Sequence, residues 1–312
     1  MDGRDVKVYE GLTDYVAPAE EAERIRRTLY RIDASVRATV LPAYRSRLEA
    51  ADLDRFRDQG YLAMEDVLAP EEVARCAAAL ADLARRRPDG IGAQDEPYDQ
   101  RGGEEPAGVT PELRVRKLWK FAGVDPTLGA AVAAPRLTAI LDQLIAPGAR
   151  LIQDMALMKP PYRGAERPWH QDNAYFDWTP LDGVLGVWIA LDPATVENGC
   201  MQIAPGSHRG GPAAHYHVRD CQLADQASRA DRAAVVPLRP GGALFFSALL
   251  HHGTPPNRSA DRRRALQFHY AAARCRRMTF AEHMFHFSRE GAYVGCRDWD
   301  MDAGVSRARL SP

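Results

Sequence analysis

Trp169-His170-Gln171-Asp172 sets an imidazole and a carboxylate two residues apart. Along an extended strand, residues i and i+2 face the same side, so His170 and Asp172 converge on one point while Gln171 turns away. A second imidazole arriving from elsewhere completes two histidines and one carboxylate on one face of a metal ion. That donor set leaves coordination positions open and suits non-heme iron(II). His-x-Asp arises often by chance, so the reading depends on whether the rest of the chain supplies the missing parts.

Around and after this stretch, short apolar segments alternate with turn clusters, at residues 183–191, 199–204, 234–238, 243–246 and 264–271. Several short strands with turn signals between them predict a sandwich or barrel. Before it the pattern is mixed. Residues 1–50 are polar and rich in Arg and Glu, with helical composition over 19–47 interrupted near Pro42, and read as an N-terminal helical extension. A short helix at 53–59 is ended by Gly60, and 61–67 read as a strand. Pro70-Glu71-Glu72 opens a helix, with Val73, Cys76, Ala77, Leu80 and Ala84 at helical spacing and Pro88 as the stop. Residues 88–111 are long, polar and glycine-containing, and read as a flexible cover for an active site. A strand carrying Lys117 follows at 113–121, then a helix over 127–145 broken near Pro135, then a strand at 150–159. The plan is helices first and mostly antiparallel strands after: mainly β with flanking helices, a jelly roll with helices outside one sheet.

Composition bounds the partners. An apolar fraction of 46% over 312 residues is ample for a large core. The net charge of −1 gives no global field toward nucleic acid or an acidic membrane. The apolar runs at 183–191 and 242–250 fall short of the roughly 18 residues a membrane helix needs. The first residues carry no apolar stretch of signal-peptide type, and no Ser-Lys-Leu ends the sequence. Cys76, Cys200, Cys221, Cys275 and Cys296 are scattered and odd in number, which argues against a complete disulfide framework. A cytoplasmic protein with a small-molecule partner, no nucleic acid and no membrane is expected.

The second imidazole has several candidates. His215 and His217 sit in a polar segment that reads as loop, and His283 and His286 lie near the C-terminus. His251 and His252 follow the apolar segment 243–246, where a strand end opens into a cavity. Eleven residues beyond His252 lies the run Arg262-Arg263-Arg264. Alone these arginines read as solvated charges in a turn. Paired with the histidine they offer a planar, permanently charged guanidinium that can grip a cosubstrate carboxylate with two hydrogen bonds.

With these pieces together, the chain resembles the phytanoyl-CoA dioxygenase-like family of Fe(II)/2-oxoglutarate oxygenases. The resemblance runs through residues 53–84, 115–121, 155–161, 169–176, Val187-Trp188, 197–208 (ENGCMQIAPGSH) and 252–270. It implies a double-stranded β-helix over residues 51–275, with 1–50 as the extension and 276–312 as a tail packed on the domain. It implies His170, Asp172 and His252 as iron ligands, because His-Gly-Thr-x-x-Asn matches at His252 and leaves the adjacent His251 facing the other way. Arg263 and Thr254 then take a carboxylate of 2-oxoglutarate, and Lys117, Met155 and Trp188 match further cosubstrate-pocket positions. The stretch 197–208 serves as scaffold, with His208 structural and Cys200 buried.

The implied activity couples O2 and the conversion of 2-oxoglutarate to succinate and CO2 to oxidation of a C–H bond. Related halogenases have a small residue where Asp172 stands, so halogenation is not expected. Hydroxylation of an unactivated C–H bond in a small metabolite is the main expectation. Desaturation, cyclisation or epoxidation in natural-product biosynthesis is the alternative. A non-catalytic metal- or 2-oxoglutarate-binding jelly roll belongs to another class, as does a zinc hydrolase, which leaves Arg263 and Thr254 without a task. For substrate, Gln153, Asn173, Tyr175 and Phe176 are the candidate contacts. The aromatic C-terminal stretch with His283, Phe285, His286, Tyr293 and Trp299 is expected to fold over the entrance.

Overall fold

A computed structural model describes residues 29–31, 34–96, 108–217, 220–288, 299–300 and 305–306. Its main strands, in chain order, are β1 (Val40–Leu41), β2 (Tyr61–Met64), β3 (Gly92–Asp95), β4 (Val115–Trp119), β5 (Arg150–Lys159), β6 (Arg167–His170), β7 (Val184–Ala190), β8 (Met201–Ile203), β9 (Ala234–Val236), β10 (Ala243–Ser247), β11 (His252–Thr254) and β12 (Arg263–Ala271). Eight of them form one sheet in the order β1-β2-β10-β7-β12-β5-β4-β3, and four form a second in the order β9-β8-β11-β6. The pairings in both sheets are antiparallel apart from the short β1–β2 contact.

The central strands of the large sheet are buried on both faces, and their alternation sorts residues between two cores. Along β12, Leu266, Phe268 and Tyr270 join a core shared with the helices, while Ala265 joins the core between the sheets. Along β7, Leu185, Val187 and Ile189 face the first core, and Trp188 and Ala190 the second. The large sheet is therefore a common wall, with helices on one side and the small sheet on the other.

The helices are α1 (Ala50–Gln59), α2 (Pro70–Arg86), α3 (Pro111–Arg114), α4 (Pro126–Val132), α5 (Pro135–Ile145) and α6 (Phe280–Phe287). Gly60 ends α1 in the left-handed region at φ 78°, its N–H donating to Phe56 O at 2.8 Å. This sharp stop lets the chain enter β2 at once. On α2, Val73, Cys76, Leu80, Leu83 and Ala84 form the buried stripe. Each fully buried leucine there contributes roughly 2 kcal/mol of transfer free energy. Pro135 lacks an N–H to continue α4 and opens α5 instead. Among the described residues, Pro126–Ile145 is long and apolar enough to cross a membrane by length and composition. Its Leu128, Leu137, Ile140 and Leu141 are packed into the helix-side core.

Several expectations change. Helices do not simply precede strands: β2, β4 and β5 come early and take places inside the large sheet, interleaved with later strands. Part of the expected cover at 88–111 is strand β3, paired with β4 at the sheet edge. Residues 97–107 lie outside the described residues, as do 1–28 of the expected extension. His215–His217 is a strand paired with Cys221–Leu223, where a loop was expected. Cys76, Cys200 and Cys275 are free and buried, while Cys221 is disulfide-bonded, which the scattered spacing does not announce.

Candidate metal centre

Strands β6 and β11 are neighbours, and their register sets His170 opposite His252. The ring centroids lie 4.2 Å apart. Strand β6 ends at His170, Gln171 stays extended, and Asp172 opens a 3-10 turn, so the two-residue same-face relation holds across the strand end. The donor atoms of His170, Asp172 and His252 all lie within 4.8 Å of one another, and all three residues are buried. Gln171 faces away as expected. Its amide donates to Gly211 O at 2.9 Å and Leu249 O at 2.7 Å and accepts from Ala213 N at 2.9 Å. The backbone N–H of Gln171 donates to His215 Nε2 at 2.8 Å, so the His215 ribbon braces the stretch between the two ligands.

Hydrogen bonding decides the tautomers. Nδ1 of His170 donates to Pro168 O at 2.7 Å, and Nδ1 of His252 donates to Leu250 O at 2.9 Å. Each Nε2 is then a lone pair in the neutral ring. These two nitrogens lie 3.2 and 3.5 Å from Asp172 Oδ1. Three electron-pair donors thus face one another, and His252 Nε2 is buried with no hydrogen-bond partner. A cation satisfies all three at once, and two imidazoles with one carboxylate fit iron(II). Burial, reinforced by the neighbouring His252, pushes the His170 pKa down to about 4, which keeps the ring neutral for ligation. Burial works to raise Asp172, but the imidazole of His269, 2.7 Å from its second oxygen, opposes this and the carboxyl is held well below its ordinary range.

A small cavity opens beside the triad. Of the expected residues, Gln153, Met155, Tyr175, Phe176 and Thr254 line it. Asn173 does not: it is buried beneath, its side-chain amide donating to Leu181 O at 2.8 Å and its backbone N–H to Ala248 O at 3.0 Å. Trp188 is fully buried in the inter-sheet core and is not on the cavity wall; the Arg263 guanidinium lies 5.2 Å over its indole. Lys117 is turned toward Asp220 at 3.7 Å.

The three consecutive arginines separate cleanly. Arg262 pairs with Glu112, and Arg264 makes a two-pronged contact with Asp192 at 2.8 and 2.9 Å. Arg263 is 1% exposed, and its Nε and Nη1 have no hydrogen-bond partner. Burial pushes its pKa down to about 10. His251 is occupied elsewhere, Nδ1 donating to Ser228 O at 3.2 Å. His208 donates to Arg57 O at 3.0 Å and is structural. Of the expected aromatic cover, His283 donates to Ala174 O under the ligand turn, Phe285 is exposed, and Tyr293 lies outside the described residues.

Sequence reasoning missed Arg167, Gln267 and His269, all on the cavity wall. Strict alternation would put Arg167 and His170 on opposite faces. A register shift between His252 and Thr254 pairs Thr254 with Arg167, and this bulge turns both side chains inward. The Arg167 guanidinium sits 4.9 Å over Tyr175 and shares the Asp220 carboxylate with Arg116 and Lys117. Burial, with Arg167 alongside, pushes the Lys117 pKa down to about 7. His269 and Gln267 bind the second oxygen of Asp172. Their signal was in the sequence: polar residues recur at every second position of β12 between apolar ones.

Residues 56–265 match the family model for phytanoyl-CoA dioxygenase (PhyH). The chain belongs to the PhyH family. The peroxisomal phytanoyl-CoA dioxygenase of Rattus norvegicus is 24% identical over 238 residues, covering 71% of this chain and 68% of the relative. Among solved structures, EvdO2 from Micromonospora carbonacea var. aurantiaca is 27% identical with a TM-score of 0.59, covering 76% of this chain and 96% of its own. EvdO2 complexed with 2-oxoglutarate aligns at 26% identity and a TM-score of 0.57, over 74% of this chain and 94% of its own. SnoK, an alpha ketoglutarate dependent carbocyclase from nogalamycin biosynthesis, is 23% identical with a TM-score of 0.57 over 80% of this chain and 97% of its own, a likeness of fold. This PhyH-family chain is an enzyme whose cofactors are Fe(II) and 2-oxoglutarate, and its fold is a mixed sheet-and-helix architecture related to that of the family.

Proposed function

We propose that iron(II) held by His170, Asp172 and His252 oxidises a C–H bond of a small organic substrate in the adjoining cavity. We take desaturation, ring closure or epoxidation in natural-product tailoring as the outcome, ahead of hydroxylation. The observation that carries the reading is the buried triad on the cavity wall, its three donor atoms all within 4.8 Å of one another. The bound iron supplies O2-dependent oxidation coupled to conversion of 2-oxoglutarate to succinate and CO2.

The chain's own residues do the rest. Arg263, a buried cation with two nitrogens lacking a hydrogen-bond partner, is complementary to the far carboxylate of 2-oxoglutarate, and Thr254 offers a hydroxyl on the cavity wall. Met155, Leu157, Phe176 and Met201 form much of the lining and exclude water. Gln153, Tyr175, Thr254 and Gln267 bring polar groups to the same wall. The fold likeness to a carbocyclase is in keeping with desaturation, ring closure or epoxidation. The two sheets are read as the two halves of a double-stranded β-helix, with the site between them at the β6–β11 end. The sequence keeps all three ligand types and Arg263, which weighs against a non-catalytic binding protein.

Anaerobic titration with Fe(II) and 2-oxoglutarate, followed by mass analysis of turnover mixtures, tests the proposal. A visible metal-to-ligand charge-transfer band is expected, then a product lacking two hydrogens or carrying an epoxide. A product bearing a hydroxyl on a saturated carbon shifts the assignment to hydroxylation. Bound iron with no such band overturns the oxygenase reading.

A further inference from the structure

We infer that His269, supported by Gln267, is a positioning residue that holds the Asp172 carboxylate to a single-oxygen mode of iron binding. The inference rests on the triad being the metal centre. Asp172 divides its two oxygens between two tasks. Oδ1 faces Nε2 of His170 and His252 at 3.2 and 3.5 Å. Oδ2 accepts from His269 Nε2 at 2.7 Å and lies 3.4 Å from Gln267 Nε2. An ionised carboxylate only accepts, so the proton between Asp172 and His269 resides on the imidazole.

The fold makes this clamp stiff. Gln267 and His269 occupy alternate positions of β12 and face the same way as the cavity wall. On either side, His269 is flanked by Gly186 of β7 and Gln153 of β5. Its ring packs 4.7 Å from Phe176, the residue that closes the turn after Asp172. Asp172, Gln267 and His269 are all buried, at 4%, 5% and 1% exposure. A carboxylate with a free second oxygen can rotate and bind a metal through both. That would occupy a position 2-oxoglutarate needs. Tying Oδ2 to two donors on a central strand forbids the rotation.

The test uses two amides that differ in where the N–H sits. In His269→Gln the side-chain amide reaches as far as imidazole Nε2 and can still donate to Oδ2. In His269→Asn it stops short, near the position of Nδ1. Anaerobic titration of the full chain with Co(II) reads affinity and, through the visible ligand-field spectrum, coordination. His269→Asn is expected to bind Co(II) about 10- to 100-fold more weakly and with an altered spectrum. His269→Gln is expected to stay within about 3-fold of the parent, well inside that range. Equal behaviour of the two variants, whether both intact or both impaired, overturns the clamp, because packing alone then accounts for the ring. Should His269→Asn fail to fold, Gln267→Met removes the second donor without touching the ring. It is expected to weaken Co(II) several-fold, and an unchanged affinity and spectrum overturn the inference. Failure of the parent chain to bind Co(II) or Fe(II) defeats the metal reading itself and is distinguishable from either result.

Discussion

Arg263→Met should make the ligand-free protein more stable while removing its response to 2-oxoglutarate. The guanidinium is 1% exposed, and two of its nitrogens have no partner. Its pKa is driven by burial from above 12 to about 10. A group whose charged form is disfavoured by folding carries that penalty in full below its folded pKa, so the whole penalty is present at neutral pH. At about 1.4 kcal/mol per pH unit the drop corresponds to about 3 kcal/mol. Loss of the contact with Trp188, 5.2 Å away, returns about 1–2 kcal/mol. The net expectation is a gain of roughly 1–2 kcal/mol, or a few degrees in Tm. In the parent protein, 2-oxoglutarate at a hundred times its Kd adds about 2.7 kcal/mol. Without the two-pronged charged contact, affinity should fall by about 2–4 kcal/mol, roughly 30- to 1,000-fold. Thermal melts of the Fe(II)-loaded protein with and without 2-oxoglutarate read both effects. A variant that melts lower than the parent without ligand, yet still gains stability from 2-oxoglutarate, refutes the assignment of Arg263 as a counter-ion held in waiting.

His170→Ala, Asp172→Ala and His252→Ala should each abolish measurable Fe(II) binding, whereas His251→Ala, already committed to Ser228 O, should leave it within a few-fold; the reverse ranking of the two adjacent histidines in an anaerobic titration would sink the ligand assignment. Lys117 has its pKa lowered from 10.5 to about 7, so its penalty is complete below about 7 and gone above 10.5. Stability should therefore rise with pH across that window, by at most a few kcal/mol, and Lys117→Met should flatten the slope in urea titrations at several pH values. Asp220→Asn leaves Arg116, Lys117 and Arg167 without their shared counter-charge and should destabilise by about 2–4 kcal/mol in chemical denaturation; a loss below about 0.5 kcal/mol would show the cluster to be adequately solvated.

Local patterns carried well where one element decides its own conformation. Strand β5 lies at residues 150–159 as read, the helix over 127–145 splits at Pro135, and Gly60 stops α1. His170 and Asp172 share a face because extended geometry persists through Gln171. What could not be read depends on register between distant strands. His269 reaches Asp172 across 97 positions of chain, and Arg167 enters the cavity only because of a bulge opposite Gly253. Strand β3, Gly-Ala-Gln-Asp, has no apolar alternation because it lies at a sheet edge and half in solvent. Asn173 was misjudged because the 3-10 turn after Asp172 swings it off the strand face and under the wall.

Strand β12 writes two messages on one line of text. Read at odd positions, it spells Ala265 in the core between the sheets and Gln267 and His269 on the cavity wall; at even positions, Leu266, Phe268 and Tyr270, the side that anchors the helices. Inserting or deleting a single residue within 263–271 would exchange the two messages, sending the imidazole into the helix core and a phenyl ring toward the metal. Lineages of this chain should therefore accept length changes on either side of this strand, yet none inside it. A laboratory library aimed at new substrates should leave this strand as it is and vary cavity residues carried by other elements, such as Gln153, Met155 and Phe176.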